Sequence, residues 1–326
     1  MKQQRSLWSD FKDRTILLGL FDFTRFGYRL RARRWRPLDV SLSGRTVVVT
    51  GATSGLGKAA AARLAALGAR VILVGRDSAK LKQTHAELSE QGDGKNIASF
   101  CADLSLMSEV RRLARELVKA EPDLHVLVNN AGALFNVRGT TAEGLERTFA
   151  LNLLCPFLLT NLLLPKLQEC APARVVNVSS GGMYTQRIRV DDLQFQKGRY
   201  NGAVAYARAK RGLVILTEMW AEKLRRTGVT VNAMHPGWAE TPGVISSLPG
   251  FYKVTRRVLR SPAEGADTMV WLAAAPEAAQ ETGLFWLDRQ PRLTHVFPGT
   301  RESREEREAL WSELCRLSGW HEGTST

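Results

Sequence analysis

The run Arg45-Thr-Val-Val-Val-Thr50 passes without a break into Gly51-Ala-Thr-Ser-Gly55-Leu-Gly57 and then into an alanine-rich stretch. A short β-branched run of this kind is the form of a strand buried on both faces. The glycines allow a tight turn before a helix begins. The pattern then repeats: apolar strands are expected at 71–75, 97–101, 124–129, 173–179, 229–234 and 284–287. Helices are expected between them, at 57–67, 78–91, 106–120, 142–169, 203–226 and 263–274. Strands alternating with helices imply right-handed βαβ units on one parallel sheet. The expected fold class is therefore α/β, a single doubly wound domain with a parallel sheet of about seven strands. We place it at 44–288, between an N-terminal arm at 1–43 and a C-terminal extension at 289–326. The extension carries one helix near 302–317, where Ser303-Arg-Glu-Glu306 has capping-box spacing and Leu310, Leu314 and Leu317 share a face.

The chain has 326 residues, 44% of them hydrophobic and 24% charged, an ordinary globular composition. Its net charge of +14 predicts attraction to something anionic. Residues 1–44 hold ten basic and four acidic residues, hence +6 of that excess, beside large apolar side chains such as Trp8, Phe11, Phe21, Phe23, Phe26, Tyr28 and Trp35. Two readings follow: peripheral membrane contact through residues 1–36, or an arm that packs its apolar stripe on the body. Nucleic acid is not expected as a partner, because no recognition module accompanies the charge. The run Ile16 to Phe21 is too short to span a bilayer and lacks a small-residue cleavage site, so a secretory leader is not expected. Cys101, Cys155, Cys170 and Cys315 lie far apart and read as buried thiols in a reducing compartment. The five histidines are scattered and suggest no metal site.

The glycine turn has the spacing T-G-x-x-x-G-x-G. Backbone that turns tightly can approach a pyrophosphate, and the following helix offers free N–H groups and a positive dipole. This is the dinucleotide logic of the Rossmann fold, although the spacing is not G-x-G-x-x-G. The second strand ends Val74-Gly75-Arg76-Asp77. An acidic residue about 20 positions past the glycines suits a free ribose 2′-OH, and an Arg nearby suits a 2′-phosphate. Arg76 lies 19 residues past Gly57 and Gly75 stands where the carboxylate is expected, so NADP(H) is the expected cofactor. Asp77, one position further on, keeps NAD(H) as the less favoured alternative.

Tyr206-Ala-Arg-Ala-Lys210 falls in an expected helix, where the four-residue spacing sets phenol and ammonium on one face. A nearby cation lowers the pKa of a phenol and fits it for proton transfer near neutral pH. Tyr28, Tyr184, Tyr200 and Tyr252 are followed four residues later by Ala32, Ile188, Val204 and Arg256, so none repeats the pair. Two strands end in polar residues at the same sheet edge, Ser179-Ser180 and Asn129-Asn130-Ala131-Gly132. Ligands of open α/β sheets bind at that edge, although Ser and Asn also favour plain turns.

TGATSGLG, NNAG, Asn152 in LNLLCPF, Ser180, YARAK and HPGWAET follow one another as in the short-chain dehydrogenase/reductase superfamily, which residues 44–288 resemble. SSGGM, HPGWAETPGV, LPGF, GADTMVWLA and DRQP resemble, more narrowly, an orphan branch of it. The resemblance implies a hydride transfer between a nicotinamide and a carbonyl or alcohol. It makes Tyr206 the acid/base, Lys210 the partner that binds the nicotinamide ribose, Ser180 the group that polarises the carbonyl, and Asn152 the support of a proton relay. Gly51, Ser54, Gly55, Leu56 and Gly57 would hold the pyrophosphate, Asp103 the adenine, and Asn130 and Gly132 the adenosine side. Pro236, Gly237 and Thr241 would surround the nicotinamide. Ser180 and Tyr206 stand 26 residues apart, wider than in many members and similar to retinol-dehydrogenase-like branches, which leaves Ser179 and Ser180 both open as the substrate-facing hydroxyl.

The pocket lid is expected from 181–205 and 238–260. Trp238, Pro242, Val244, Ile245, Leu248, Pro249, Phe251 and Tyr252 favour a lipophilic alcohol or carbonyl substrate, unless they pack on one another. Arg256, Arg257 and Arg260 would meet an acidic group or simply face solvent. The apolar helix at 142–169 could build a homodimer, and a cytoplasmic, membrane-associated location is expected. The competing reading is a non-catalytic NADP-binding sensor or membrane-associated scaffold on the same fold.

Overall fold

The computed structural model describes residues 21–90 and 96–323. Its eight strands are β1 Thr46–Thr50, β2 Arg70–Gly75, β3 Ile97–Cys101, β4 Val126–Asn129, β5 Ala173–Val178, β6 Val229–Met234, β7 Phe285–Leu287 and β8 Gln290–Arg292. They form one sheet in the order β3-β2-β1-β4-β5-β6-β7-β8. Every pair is parallel except β7 with β8. Seven of these strands were legible as apolar runs. The eighth is a hairpin return at the edge, beyond residue 288. Asp288 and Arg289 make its two-residue turn with φ of 53° and 56°, the backbone of a tight primed turn without the usual glycine or asparagine.

Among the described residues, ten α-helices of six or more residues flank the sheet. They are α1 Arg25–Ala32, α2 Gly55–Ala66, α3 Ser78–Glu90, α4 Met107–Ala120, α5 Cys155–Glu169, α6 Gly202–Lys223, α7 Pro242–Ser247, α8 Pro249–Thr255, α9 Pro262–Ala274 and α10 Arg304–Ser318. Val47, Val48 and Val49 of β1 are fully buried because helices cover both faces of the sheet. The strand order reverses between β1 and β4, which opens a crevice at their C-terminal ends.

The expected helix at 142–169 differs in detail. Residues 140–146 form a turn closed by a bridge between Thr140 and Glu146. The Glu146 carboxylate then accepts the N–H groups of Thr148 (2.9 Å) and Phe149 (2.7 Å), so helix begins at Arg147. Ala150–Leu154 is a π-helical turn leading into α5. The whole segment is apolar and long enough to cross a bilayer, yet it is mostly buried within the fold. Its outer side is covered by α10: Phe157 meets Trp311 and Trp320 edge-on at 5.1 and 5.8 Å. The C-terminal extension thus packs against Phe157 of this helix. Ser303 and Glu306 form the capping box that starts α10, as the spacing predicts.

The four cysteines are free, but only Cys155 is buried, and Cys101 is exposed. Residues 21–36 lie on the body, where the Arg25 N–H donates to the Val258 carbonyl at 2.8 Å.

Candidate active site

A cleft of about 600 Å³ opens at the crevice beside β1 and β4. Gly51, Ser54, Gly55, Leu56, Gly57, Arg76, Asp103, Asn130, Gly132, Tyr206, Lys210, Pro236 and Thr241 all line it. The glycine turn is shaped by close approach. Gly51 and Gly55 have φ of +67° and +52°, and a Cβ on Gly57 would overlap the Gly51 carbonyl oxygen. Ser54 is the N-cap of α2, but its hydroxyl makes no capping bond. The first turn of α2 therefore presents N–H groups without a side-chain partner and with no acidic residue nearby. Such a turn fits a pyrophosphate.

β1 and β4 are stitched together by side chains. The Thr50 hydroxyl accepts the N–H groups of Asn130 and Ala131, both at 2.9 Å, and Asn130 Nδ2 donates to the Thr50 carbonyl at 2.8 Å. Asn130 is thus a brace under the glycine turn. Nothing in the sequence singled out Thr50, which closes a strand like any β-branched residue. Asp103 Oδ1 accepts from the Ser105 N–H (2.9 Å) and hydroxyl (2.7 Å), which holds the carboxylate at the cleft wall.

Arg76 and Asp77 part company. Arg76 is exposed and lines the cleft. Asp77 Oδ1 accepts the N–H groups of Ala79 (3.0 Å) and Lys80 (3.1 Å), so it caps α3 and does not line the cleft. Those hydrogen bonds, that of Lys80 foremost, hold its carboxyl below its usual pKa.

Tyr206 and Lys210 sit where their spacing on α6 predicts. The Lys210 Nζ lies 5.6 Å from the Tyr206 ring centre and donates to the Val178 carbonyl at 2.8 Å. Burial pushes the phenol up to about 12, opposed only by its hydrogen bond with Ser180. Burial also pushes Lys210 down to about 8. The lowering of the Tyr206 pKa expected from Lys210 is therefore not found: burial sets the direction and only Ser180 opposes it. The phenol holds its proton at neutral pH.

The two serines separate as well. The Ser179 hydroxyl is buried and donates to the Lys210 carbonyl at 3.0 Å. The Ser180 hydroxyl accepts the Gly182 N–H at 3.2 Å and bonds Tyr206. Short 3₁₀ turns at Gly181–Thr185 and Val190–Asp192 take up the long interval to Tyr206 without separating the two hydroxyls.

Asn152 is fully buried in the π-helical turn, an irregularity common at functional sites. Its amide bonds the Ala133 carbonyl (2.9 Å), the Ala133 N–H (3.2 Å) and the Thr148 carbonyl (2.8 Å). A Cβ on Gly132 would lie 2.7 Å from Asn152 Oδ1 and 3.1 Å from Lys210 Nζ. Gly132 is what lets these two groups approach one another.

Several expectations shift. Ser180 and Asn152 do not line the cleft, whereas Ser179 does. Gly237 does not line the cleft; with φ of +71° it turns its Cα against the Arg260 guanidinium behind the loop. Arg260 does not share the exposed face of Arg256 and Arg257. It is 1% exposed and pairs with Asp288 at 2.6 Å. Phe135, Arg147 and Thr141 also border the cleft, with the Arg147 guanidinium 4.1 Å from the Phe135 ring centre. No motif marks these three.

Comparison with known proteins agrees with this geometry. The short chain dehydrogenase family model matches residues 45–249. Dehydrogenase/reductase SDR family member 12 of Bos taurus is 42% identical over 92% of this chain and 95% of its own length. Retinol dehydrogenase 12 of Bos taurus is 38% identical over 86% of this chain and 88% of its own. Among solved structures, the Pseudomonas aeruginosa RhlG/NADP active-site complex superposes with a TM-score of 0.63 at 29% identity, covering 77% of this chain and 96% of that one. The chain belongs to the short-chain dehydrogenase family of oxidoreductases.

Proposed function

We propose that this protein is an NADP(H)-dependent oxidoreductase that interconverts a lipophilic carbonyl compound and its alcohol, with Tyr206 as the acid/base. The observation that carries the reading is the meeting of Tyr206 and Lys210 at the wall of a cleft whose glycine turn fits a pyrophosphate, with Ser180 bonded to Tyr206 just behind that wall. NADP(H), when bound, supplies or accepts the hydride. Tyr206 gives its proton to the substrate oxygen as reduction proceeds and takes it back in oxidation. Ser180 donates a hydrogen bond to that same oxygen. Lys210 and Asn152, brought together across Gly132, hold the ribose and pass protons toward Tyr206. A binding-only protein has no use for these four groups together.

Arg76 supports the choice of NADP(H). It is the cation at the end of β2 that faces the cleft, and the competing carboxylate of Asp77 is engaged in capping α3. Support also comes from the bound NADP of the RhlG complex. The lid supports an apolar substrate: no residue of α7 is buried, and Ile245 is 42% exposed. Trp238 and Phe251 of the same lid pack on each other edge-on, at 5.3 Å, and leave Ile245 open. The direct experiment follows NADPH and NADH consumption by the purified protein against ketones and aldehydes of increasing apolar length. The reading requires NADPH-dependent turnover that rises with length; no turnover with any member of such a panel sinks it.

We further infer peripheral membrane contact at the same end of the molecule. Phe26 and Leu30, each 54% exposed, share one face of α1 beside exposed Arg29 and Arg33. Residues 1–20 of the segment expected to make this contact lie outside the described residues. Cosedimentation with anionic vesicles tests the surface: Phe26→Ser with Leu30→Ser should release the protein, and undiminished binding refutes it.

A further inference from the structure

Residues 21–31 lie outside the segment that the family model matches, yet they pack beside the strand ends that carry Ser180 and Pro236. The Phe23 ring meets His235 edge-on at 4.6 Å and Trp238 at 6.0 Å. A Cβ on Gly181 would lie 3.4 Å from Phe23 Cε2. Gly181 directly follows Ser180, and Trp238 lies two residues past Pro236, which lines the cleft. Trp238 in turn meets Phe251 edge-on at 5.3 Å. Three rings, one from the N-terminal arm and two from residues 238–260, thus form one apolar row that starts beside Ser180.

The backbone around Phe23 is fixed with unusual care. The buried Arg260 guanidinium donates to three consecutive carbonyls, those of Asp22, Phe23 (3.1 Å) and Thr24 (3.3 Å), and to the Pro236 carbonyl at 3.2 Å. The Phe23 carbonyl also accepts the Trp238 N–H at 2.8 Å. Asp22 pairs with Arg31 and with Arg292, while Asp288 pairs with Arg31 and Arg260. Charge pairs this well buried are directional, and each fixes the position of the next. A segment needed only as a tether would be held as well by apolar packing.

We propose that Phe23 is a specificity-determining residue, the inner wall against which the apolar tail of the substrate rests while its oxygen meets Ser180 and Tyr206. The proposal rests on the carbonyl-reductase reading above. Its test compares kcat/KM of the full chain for decanal and for propanal with NADPH. Phe23→Ala should lower the decanal-to-propanal ratio about tenfold, the scale of lost apolar contact in a binding site. Phe23→Trp, which drives a larger ring toward Gly181, should lower it as well, and it serves as the test if the alanine variant does not fold. A ratio within about twofold of wild type in a folded variant overturns the proposal. Failure of the wild-type protein to reduce either aldehyde is a different outcome, which defeats the carbonyl-reductase reading itself.

Discussion

The two ends of the cleft are built by different means. At the cofactor end the parts are backbone: Gly51, Gly55 and Gly57 in conformations or contacts that exclude a side chain, and the uncapped first turn of α2. Beside Ser180, where we place the substrate, the parts are side chains drawn from far apart in the chain: Phe23, Trp238 and Phe251. A backbone cradle recognises what every such cofactor shares. A wall of side chains can be exchanged ring by ring, and its members need no fixed spacing. Damage at the first end should weaken reaction with every substrate alike, whereas damage at the second should depend on which substrate is offered.

Gly57→Val gives the sharpest break at the cofactor end. The new Cβ would collide with the Gly51 carbonyl and with Asn130 Nδ2. NADPH affinity, read by fluorescence titration, should fall by about a hundredfold or more, close to 3 kcal/mol. Arg260→Met is the counterpart at the substrate end. It leaves buried Asp288 with Arg31 as its remaining partner, and breaking a buried pair costs about 3–5 kcal/mol. Urea unfolding should show this loss of stability. Arg76→Ala is milder. It should weaken NADPH about 10- to 100-fold and leave NADH nearly unchanged, as loss of one charged hydrogen-bond donor predicts. Equal effects on both cofactors would remove Arg76 from the 2′-phosphate.

The smallest effect is a matter of pH, and it carries two opposite signs. Burial lowers Lys210 from 10.5 to about 8. Above pH 8 the folded protein loses the cation while the unfolded chain keeps it up to about 10.5. The unfolded state then binds more protons, so the destabilising contribution of Lys210, full below pH 8, is relieved as pH rises through that window. Turnover should move the other way and fall as the cation that serves Tyr206 is lost. Measured stability and kcat/KM across pH 7 to 10 check this, with Lys210→Met flattening the stability contribution.

The sequence was legible where function rests on local pattern. Seven apolar runs marked seven strands, the glycine spacing marked the tight turn that lines the cleft, and the four-residue spacing brought Tyr206 and Lys210 onto one helix face. It was mute where contacts are long-range. β8 turns through Asp288 and Arg289 in left-handed backbone, which no glycine announces. Arg260 looks like its neighbours Arg256 and Arg257 until Asp288, 28 residues on, folds against it. Gly237 reads as part of the nicotinamide turn, yet it makes room for that guanidinium. The arm's basic and aromatic residues carried two readings, and the body claimed several of them: Arg31 for Asp22 and Asp288, Tyr28 beneath Arg260. Trp311 and Trp320 were unremarkable in the sequence and pack on Phe157 of the long apolar helix.

Single-turnover oxidation of bound NADPH by decanal, followed at the nicotinamide absorbance in wild type and Tyr206→Phe, tests the central claim directly. A phenol that supplies the proton is worth about 10²- to 10⁴-fold in rate. The account predicts a loss of that size in the variant with NADPH still bound. Equal rates in the two proteins would contradict it, for the proton would then come from elsewhere.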